Sequence, residues 1–145
     1  MMMPKYSRYR SAQVMYAVLC LYYGLAFMLA GLAGMTAMEP DDYGTLAVSY
    51  EIEAMAGVQL FAATLLMMGI ILNGRWKWSP AVRMGSALCL AGLCGFLSYS
   101  AFPAPNGWPV GIYCSGFAMA GLIVAWWGLV DLRAVQKWGS DGTAA

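Results

Sequence analysis

The stretch MGSALCLAGLCGFLSYSAFPAPNGWPVGIYCSGFAMAGLIVAWWGLV, from Met84 to Val130, contains no charged residue. It is too long for one crossing of a bilayer, because a helix spans the hydrocarbon core with about 20 residues. Prolines interrupt it between Pro103 and Pro109, and lipid cannot satisfy the backbone groups that proline leaves without partners. The stretch therefore predicts two membrane-spanning helices, at about residues 82–101 and 110–132, joined by a tight turn.

Two further apolar stretches precede this one, at about residues 14–35 and 54–72. Each is long enough to cross a membrane as a helix. The first follows a basic lead-in that is also typical of a signal peptide, but it exceeds the roughly 7–15 apolar residues of a signal-peptide core. We therefore predict an uncleaved first span and four spans in all.

The composition agrees with a membrane protein. Of the 145 residues, 61% are apolar and 10% are charged, whereas soluble domains carry about 25% charged residues. The net charge is +1, and no dense run of Lys or Arg offers a basic face for nucleic acid. The expected partner is the lipid bilayer.

The basic residues predict the topology. They precede the first span, separate the second from the third, and follow the fourth; in order they are Lys5, Arg8, Arg10, Arg75, Lys77, Arg83, Arg133 and Lys137. Cytoplasmic loops collect Lys and Arg, so both termini are expected in the cytoplasm. The prediction is an all-α, four-span antiparallel bundle in a bacterial-type inner membrane. Residues 1–13 would be a basic cytoplasmic segment, 14–138 one membrane domain and 139–145 a flexible tail.

Small residues recur every four positions in three of the spans. The predicted packing residues are Ala26, Ala30, Gly34, Ala87, Ala91, Gly95, Gly116 and Ala120, and Gly121 and Ala125 follow the same spacing. Helix faces lined by small residues let the backbones of membrane helices approach closely. These faces either pack against other helices of this chain or remain available to a second copy or to another membrane protein.

Residues 24–34 and 85–95 are similar, with identity at seven of eleven positions. A duplicated two-helix unit, as in some transporters, would explain this match. The alternative is that Leu, Ala and Gly recur in any membrane helix.

Four polar residues are candidates for function. Glu51, Glu53 and Gln59 lie at the outer start of the second span, where the helix dipole favours carboxylates. Glu51 and Glu53 either cap the helix, with Ser49 at its N-terminus, or border a cation pathway that opens between them and Gln59. Asp131 lies near the inner end of the fourth span, where the dipole opposes an anion. It is expected to form an inner-face ion pair with Arg133, or with Arg75 or Arg83.

The sequence favours neither a cofactor nor catalysis. The chain has no His, and its four cysteines, Cys20, Cys89, Cys94 and Cys114, fall in apolar helices, where a thiol is inert. It resembles the quinone-linked disulfide-forming enzymes in span number only, since it has no CxxC motif. No nucleotide-binding or nucleophile motif is present, so we expect neither metal nor cofactor nor enzyme activity.

These observations favour an accessory or assembly component of the membrane that packs through small-residue faces. Two alternatives stay open. The chain resembles holins, which form membrane lesions, in being small, multi-spanning and free of enzymatic motifs. The internal similarity would instead fit a small-solute transporter.

Overall fold

A computed structural model describes residues 9–32, 52–72, 78–103 and 106–141. Over these residues the chain is helical and has no strand. The four helices are α1 (Arg10–Leu32), α2 (Ile52–Ile71), α3 (Ser79–Ala101) and α4 (Trp108–Asp141). Helices α2, α3 and α4 are long and apolar enough to cross a membrane. The predicted all-helical fold class is confirmed for the described residues.

Prolines set the boundaries of two helices. Helix α3 begins at Ser79 and has Pro80 in its first turn, where the missing N–H of proline breaks no helical bond. Helix α4 begins in the same way, with Trp108 followed by Pro109. Pro103 follows the end of α3. The end of α3 and the start of α4 therefore lie next to Pro103 and Pro109.

Two other predicted boundaries differ from the helices. The first predicted span, 14–35, lies in α1 as far as Leu32, and its last residues fall outside the described part of the chain. The fourth was predicted to end near residue 132, yet α4 continues to Asp141 and includes the first residues of the predicted tail. Apolar character ends near residue 132, but neither Gly nor Pro stops the helix there.

One apolar core joins the four helices. Cys20 of α1, Leu66 of α2 and Leu90 of α3 are fully buried in it, and Val124 of α4 is 3% exposed. The packing of these side chains fixes the relative positions of the helices. A second, smaller cluster surrounds Leu97 near the end of α3.

Helices α3 and α4 are in close contact at two glycines of α4. A Cβ atom added to Gly121 would lie 2.9 Å from the Ala91 Cβ and 3.2 Å from the Ala87 carbonyl oxygen. A Cβ atom added to Gly128 would lie 3.0 Å from the backbone nitrogen of Met84. The absence of a side chain at these positions lets the two backbones come together.

The described helices bury several polar side chains beside the apolar core and expose many large apolar side chains. The buried polar side chains are Gln13, Gln59, Ser79, Arg83, Ser86, Ser98 and Ser100. Large apolar side chains point outward instead: Tyr99 is 80% exposed, Phe61 68% and Trp126 59%. Soluble monomers rarely expose such extensive apolar surface. The pattern is the one expected where lipid surrounds the helices and polar groups are paired inside.

Candidate functional site

Arg83 lies at the centre of a buried polar cluster. Its side chain is 2% exposed, and its Nη2 donates to Asp131 Oδ2 of α4 at 2.8 Å. Its Nη1 donates to Gln13 Oε1 of α1 at 2.9 Å. On the α2 side it passes close to Gly69, where an added Cβ would lie 2.8 Å from the Arg83 Cγ. One side chain of α3 therefore contacts all three other helices.

The C-terminal end of α2 is bound to the same region. The buried Ser79 hydroxyl donates to the Gly69 carbonyl oxygen, and Arg10 Nη2 donates to the Ile70 carbonyl oxygen at 3.5 Å. The last carbonyl groups of a helix have no partner within the helix, so these donors from α3 and α1 satisfy them. We call Gln13, Ser79, Arg83 and Asp131 the Arg83 cluster.

Asp131 forms its ion pair with Arg83 and not with Arg133, the first partner expected from the sequence. Asp131 binds Arg83, which was one of the three basic residues considered, and Arg133 is exposed. Residues two apart on a helix do not face each other. Arg133 therefore does not lie on the same side of α4 as Asp131. Arg75 lies outside the described residues.

Sequence reasoning did not identify Gln13 and Ser79 as members of this cluster. Gln13 precedes the buried Ala17 by four residues and Cys20 by seven, so helical periodicity places it on the face that packs inward. That spacing was the available signal. Ser79 precedes the predicted third span, which begins at about residue 82, although the Pro80 that follows it is typical of the first turn of a helix.

The predicted polar group at the other end of α2 is described only in part. Gln59 is 7% exposed, and its Nε2 donates to the Cys20 carbonyl oxygen at 3.1 Å, which connects α2 to α1. Glu51 and the side chain of Glu53 lie outside the described residues. The cation pathway along these three residues stays a prediction.

The predicted packing residues fall in different environments. Ala87 and Ala91 are buried against α4, and Gly95 is half-buried with no atom within 4 Å of an added Cβ. Ala26 is exposed. Gly34 and the side chain of Ala30 lie outside the described part of the chain. The close contact of α3 with α4 uses Gly121, one position after Ala120.

Gly116 and Ala120 line an open groove between α1 and α4. The groove has a volume of about 520 Å³, and its α1 wall includes Met15 and Leu19. Gly116 is exposed, and no atom lies within 4 Å of a Cβ added to it. The groove is almost entirely apolar in its side chains, and Ile112 borders it near the start of α4. Gly116 therefore faces the open groove, whereas Ala120 borders the groove and also packs against the apolar core.

The cysteines are free thiols within the helices. Cys20 and Cys94 are buried, Cys114 is half-buried and Cys89 is exposed. Within the described ranges, no group of three or more His, Cys, Asp or Glu residues is placed to hold a metal ion. Comparisons with protein-family models, with curated proteins and with solved structures find no match to this chain.

Proposed function

We propose that the chain is an integral membrane protein that crosses the inner membrane four times as an antiparallel bundle. The observation that carries this proposal is the large apolar surface of the bundle, with polar side chains such as Arg83 and Gln59 buried between the helices. Contacts between neighbouring helices support the antiparallel arrangement. For α3 and α4, the Ser98 hydroxyl bonds the Gly111 carbonyl and Arg83 bonds Asp131, so residue numbers rise along one helix and fall along the other.

The proposed topology places both termini in the cytoplasm. Arg10 contacts the C-terminal end of α2 at Ile70, and Arg83 contacts Asp131 near the C-terminal end of the long α4. These contacts gather cations from α1 and α3 at one end of the helices. One-sided placement of Lys and Arg supports a cytoplasmic location for that end.

Within the membrane, the chain would act as an accessory or assembly component that receives a helix of another membrane protein. The groove between α1 and α4 supports this role, because Gly116 and Ala120 lie four residues apart on one apolar face. Membrane helices associate through such small-residue faces, where van der Waals contact replaces the hydrophobic effect. A partner helix with its own small or apolar face would fit this surface.

The Arg83 cluster supports an assembly role over a transport role. Charged groups in transporters mark the route of a substrate or proton. Here Arg83 and Asp131 bind each other, and Arg83 also binds Gln13. The buried charges therefore stabilise the contacts between helices, and the bundle presents a fixed surface to a partner.

Replacing Gly116 with leucine is expected to remove the partner while the bundle stays folded. The leucine side chain would extend into the groove, since no atom of the described residues lies within 4 Å of an added Cβ. The measurement is the mass of the tagged, detergent-solubilised complex and the yield of co-purified protein. We expect at least a tenfold lower yield, because about 1.4 kcal/mol of lost binding energy corresponds to a factor of ten.

Gly92→Leu is the matched control. Gly92 is also exposed on a helix, with no atom within 4 Å of an added Cβ, but it lies on α3. This variant should keep the partner. Equal yields from the two variants would contradict a partner in the groove, and a complex with the mass of two copies would assign the groove to self-association. Rapid lysis of cells that express the native chain would favour the holin-like alternative.

A further inference from the structure

A second cavity lies at the opposite end of the bundle from the Arg83 cluster. It has a volume of about 310 Å³ and is bordered by side chains from all four helices. Tyr23 comes from α1, Gln59 from α2, Cys94 from α3 and Tyr113 and Phe117 from α4. Its volume lies at the lower end of the range for small-molecule sites, which is about 300–1,000 Å³. Its walls are mostly apolar, with a few polar atoms in fixed positions.

Gln59 provides a hydrogen-bond acceptor to this cavity. Its Nε2 donates to the Cys20 carbonyl oxygen, and this bond determines which amide atom is nitrogen, since an oxygen could not donate there. No described residue donates to its Oε1, although the side chain is more than nine-tenths buried and lines the cavity. Gln59 Oε1 is therefore an acceptor available to a ligand that donates a hydrogen bond in the cavity.

The two tyrosines provide a donor. The hydroxyl groups of Tyr23 and Tyr113 are hydrogen-bonded to each other. Each hydroxyl has one proton, so one tyrosine uses its proton in this bond and the other keeps its own for a further acceptor. The cavity therefore presents an acceptor from Gln59 and a donor from the tyrosine pair.

Aromatic rings form the wall beside this donor. The ring of Phe117 lies edge-on to that of Tyr23 with centroids 5.5 Å apart, and it lies 5.1 Å from the ring of Tyr113. Aromatic side chains prefer such tilted contacts with other rings. None of the described residues that line the cavity is an Asp, Glu, Lys or Arg, so a charged ligand would find no counter-ion among them.

We propose that this cavity binds a neutral, membrane-soluble phenol: an aromatic ring with one hydroxyl group and an apolar substituent. The ring packs against the aromatic wall formed by Phe117 and the tyrosines. The hydroxyl donates to Gln59 Oε1 and accepts from the free proton of the tyrosine pair. The apolar substituent lies along Leu97 and its neighbours. Such a ligand satisfies both polar groups of the cavity with one hydroxyl.

The test compares 4-butylphenol with butylbenzene, which lacks the hydroxyl, and with 1-hexanol, which lacks the ring. Binding to the full chain in detergent micelles is measured by equilibrium dialysis with labelled probes. We expect saturable binding of one 4-butylphenol per chain, with each of the other probes binding at least tenfold more weakly. Equal affinity for the three probes, or an absence of saturable binding, would overturn the proposal.

Two variants locate the bound hydroxyl. Gln59→Leu removes the acceptor and Tyr113→Phe removes one hydroxyl of the pair, and each should weaken 4-butylphenol binding about tenfold, as expected for one lost hydrogen bond. Butylbenzene binding should change less than twofold. Tyr99→Phe is the control, because Tyr99 is 80% exposed and does not line the cavity. Gln59→Leu also removes the hydrogen bond to the Cys20 carbonyl oxygen of α1. If that variant does not fold, Tyr113→Phe still tests the site. Unchanged 4-butylphenol affinity in Tyr113→Phe would contradict the assigned site.

Discussion

Replacing Asp131 with leucine is expected to lower the free energy of unfolding by about 3–5 kcal/mol, because it leaves the buried Arg83 without its counter-ion. The Arg83 side chain is 2% exposed and its Nη2 lies 2.8 Å from Asp131 Oδ2, so hydration by water compensates little for the lost carboxylate. The measurement is reversible unfolding in mixed detergent micelles, followed by tryptophan fluorescence. The double variant Arg83→Met with Asp131→Leu should recover most of the loss, since an apolar pair needs no counter-charge.

Arg133→Met is the control for this series. It removes a charge two residues from Asp131, but the Arg133 side chain is exposed. Substitutions at such surface positions change stability by about 0.5 kcal/mol or less. If Asp131→Leu were no more destabilising than Arg133→Met, or if the double variant were less stable than Asp131→Leu, the ion pair would not hold the bundle together.

The second large effect is expected at Gly121. Gly121→Ala would place a Cβ atom 2.5 Å from the Tyr16 hydroxyl and 2.9 Å from the Ala91 Cβ. Helices α3 and α4 would have to move apart, and overpacking of this kind costs about 1–3 kcal/mol. The same unfolding measurement in micelles gives the change in free energy.

Gly116→Ala is the same substitution on the same helix, but it should raise the free energy of unfolding, whereas Gly121→Ala should lower it. No atom lies within 4 Å of the added Cβ, and alanine is favoured over glycine within a helix by about 0.5–1 kcal/mol. The pair of variants therefore separates helix propensity from helix packing. Equal effects at the two positions would mean that α3 and α4 are not in close contact at Gly121.

The helices could be predicted from the sequence because their signals are local. Pro80, Pro103 and Pro109 mark helix ends, and long apolar stretches mark the segments between them. The extension of α4 to Asp141 was not predicted, because the end of the apolar stretch was taken as the end of the helix. Hydropathy reports where lipid ends, whereas a helix continues until its backbone is interrupted.

The contacts between helices could be predicted only in part. The one-sided distribution of charge limited the partner of Asp131 to a few cations, but the choice of Arg83 depends on the rotation of α3, which sequence periodicity alone does not give. The same limit applies to Gly116 and Gly121. Both lie on small-residue spacings of α4, and the three-dimensional packing decides that Gly121 contacts α3 while Gly116 faces the groove.

The most direct test of the proposed membrane topology uses reporter fusions after Gly44, Ser79, Gly107 and Ala145. An enzyme reporter that is active only outside the cytoplasm is paired with a fluorescent reporter that is active only inside. We expect external signals at Gly44 and Gly107 and internal signals at Ser79 and Ala145. The reverse pattern would contradict the assigned orientation, and internal signals at all four positions would contradict the claim that these helices cross a membrane.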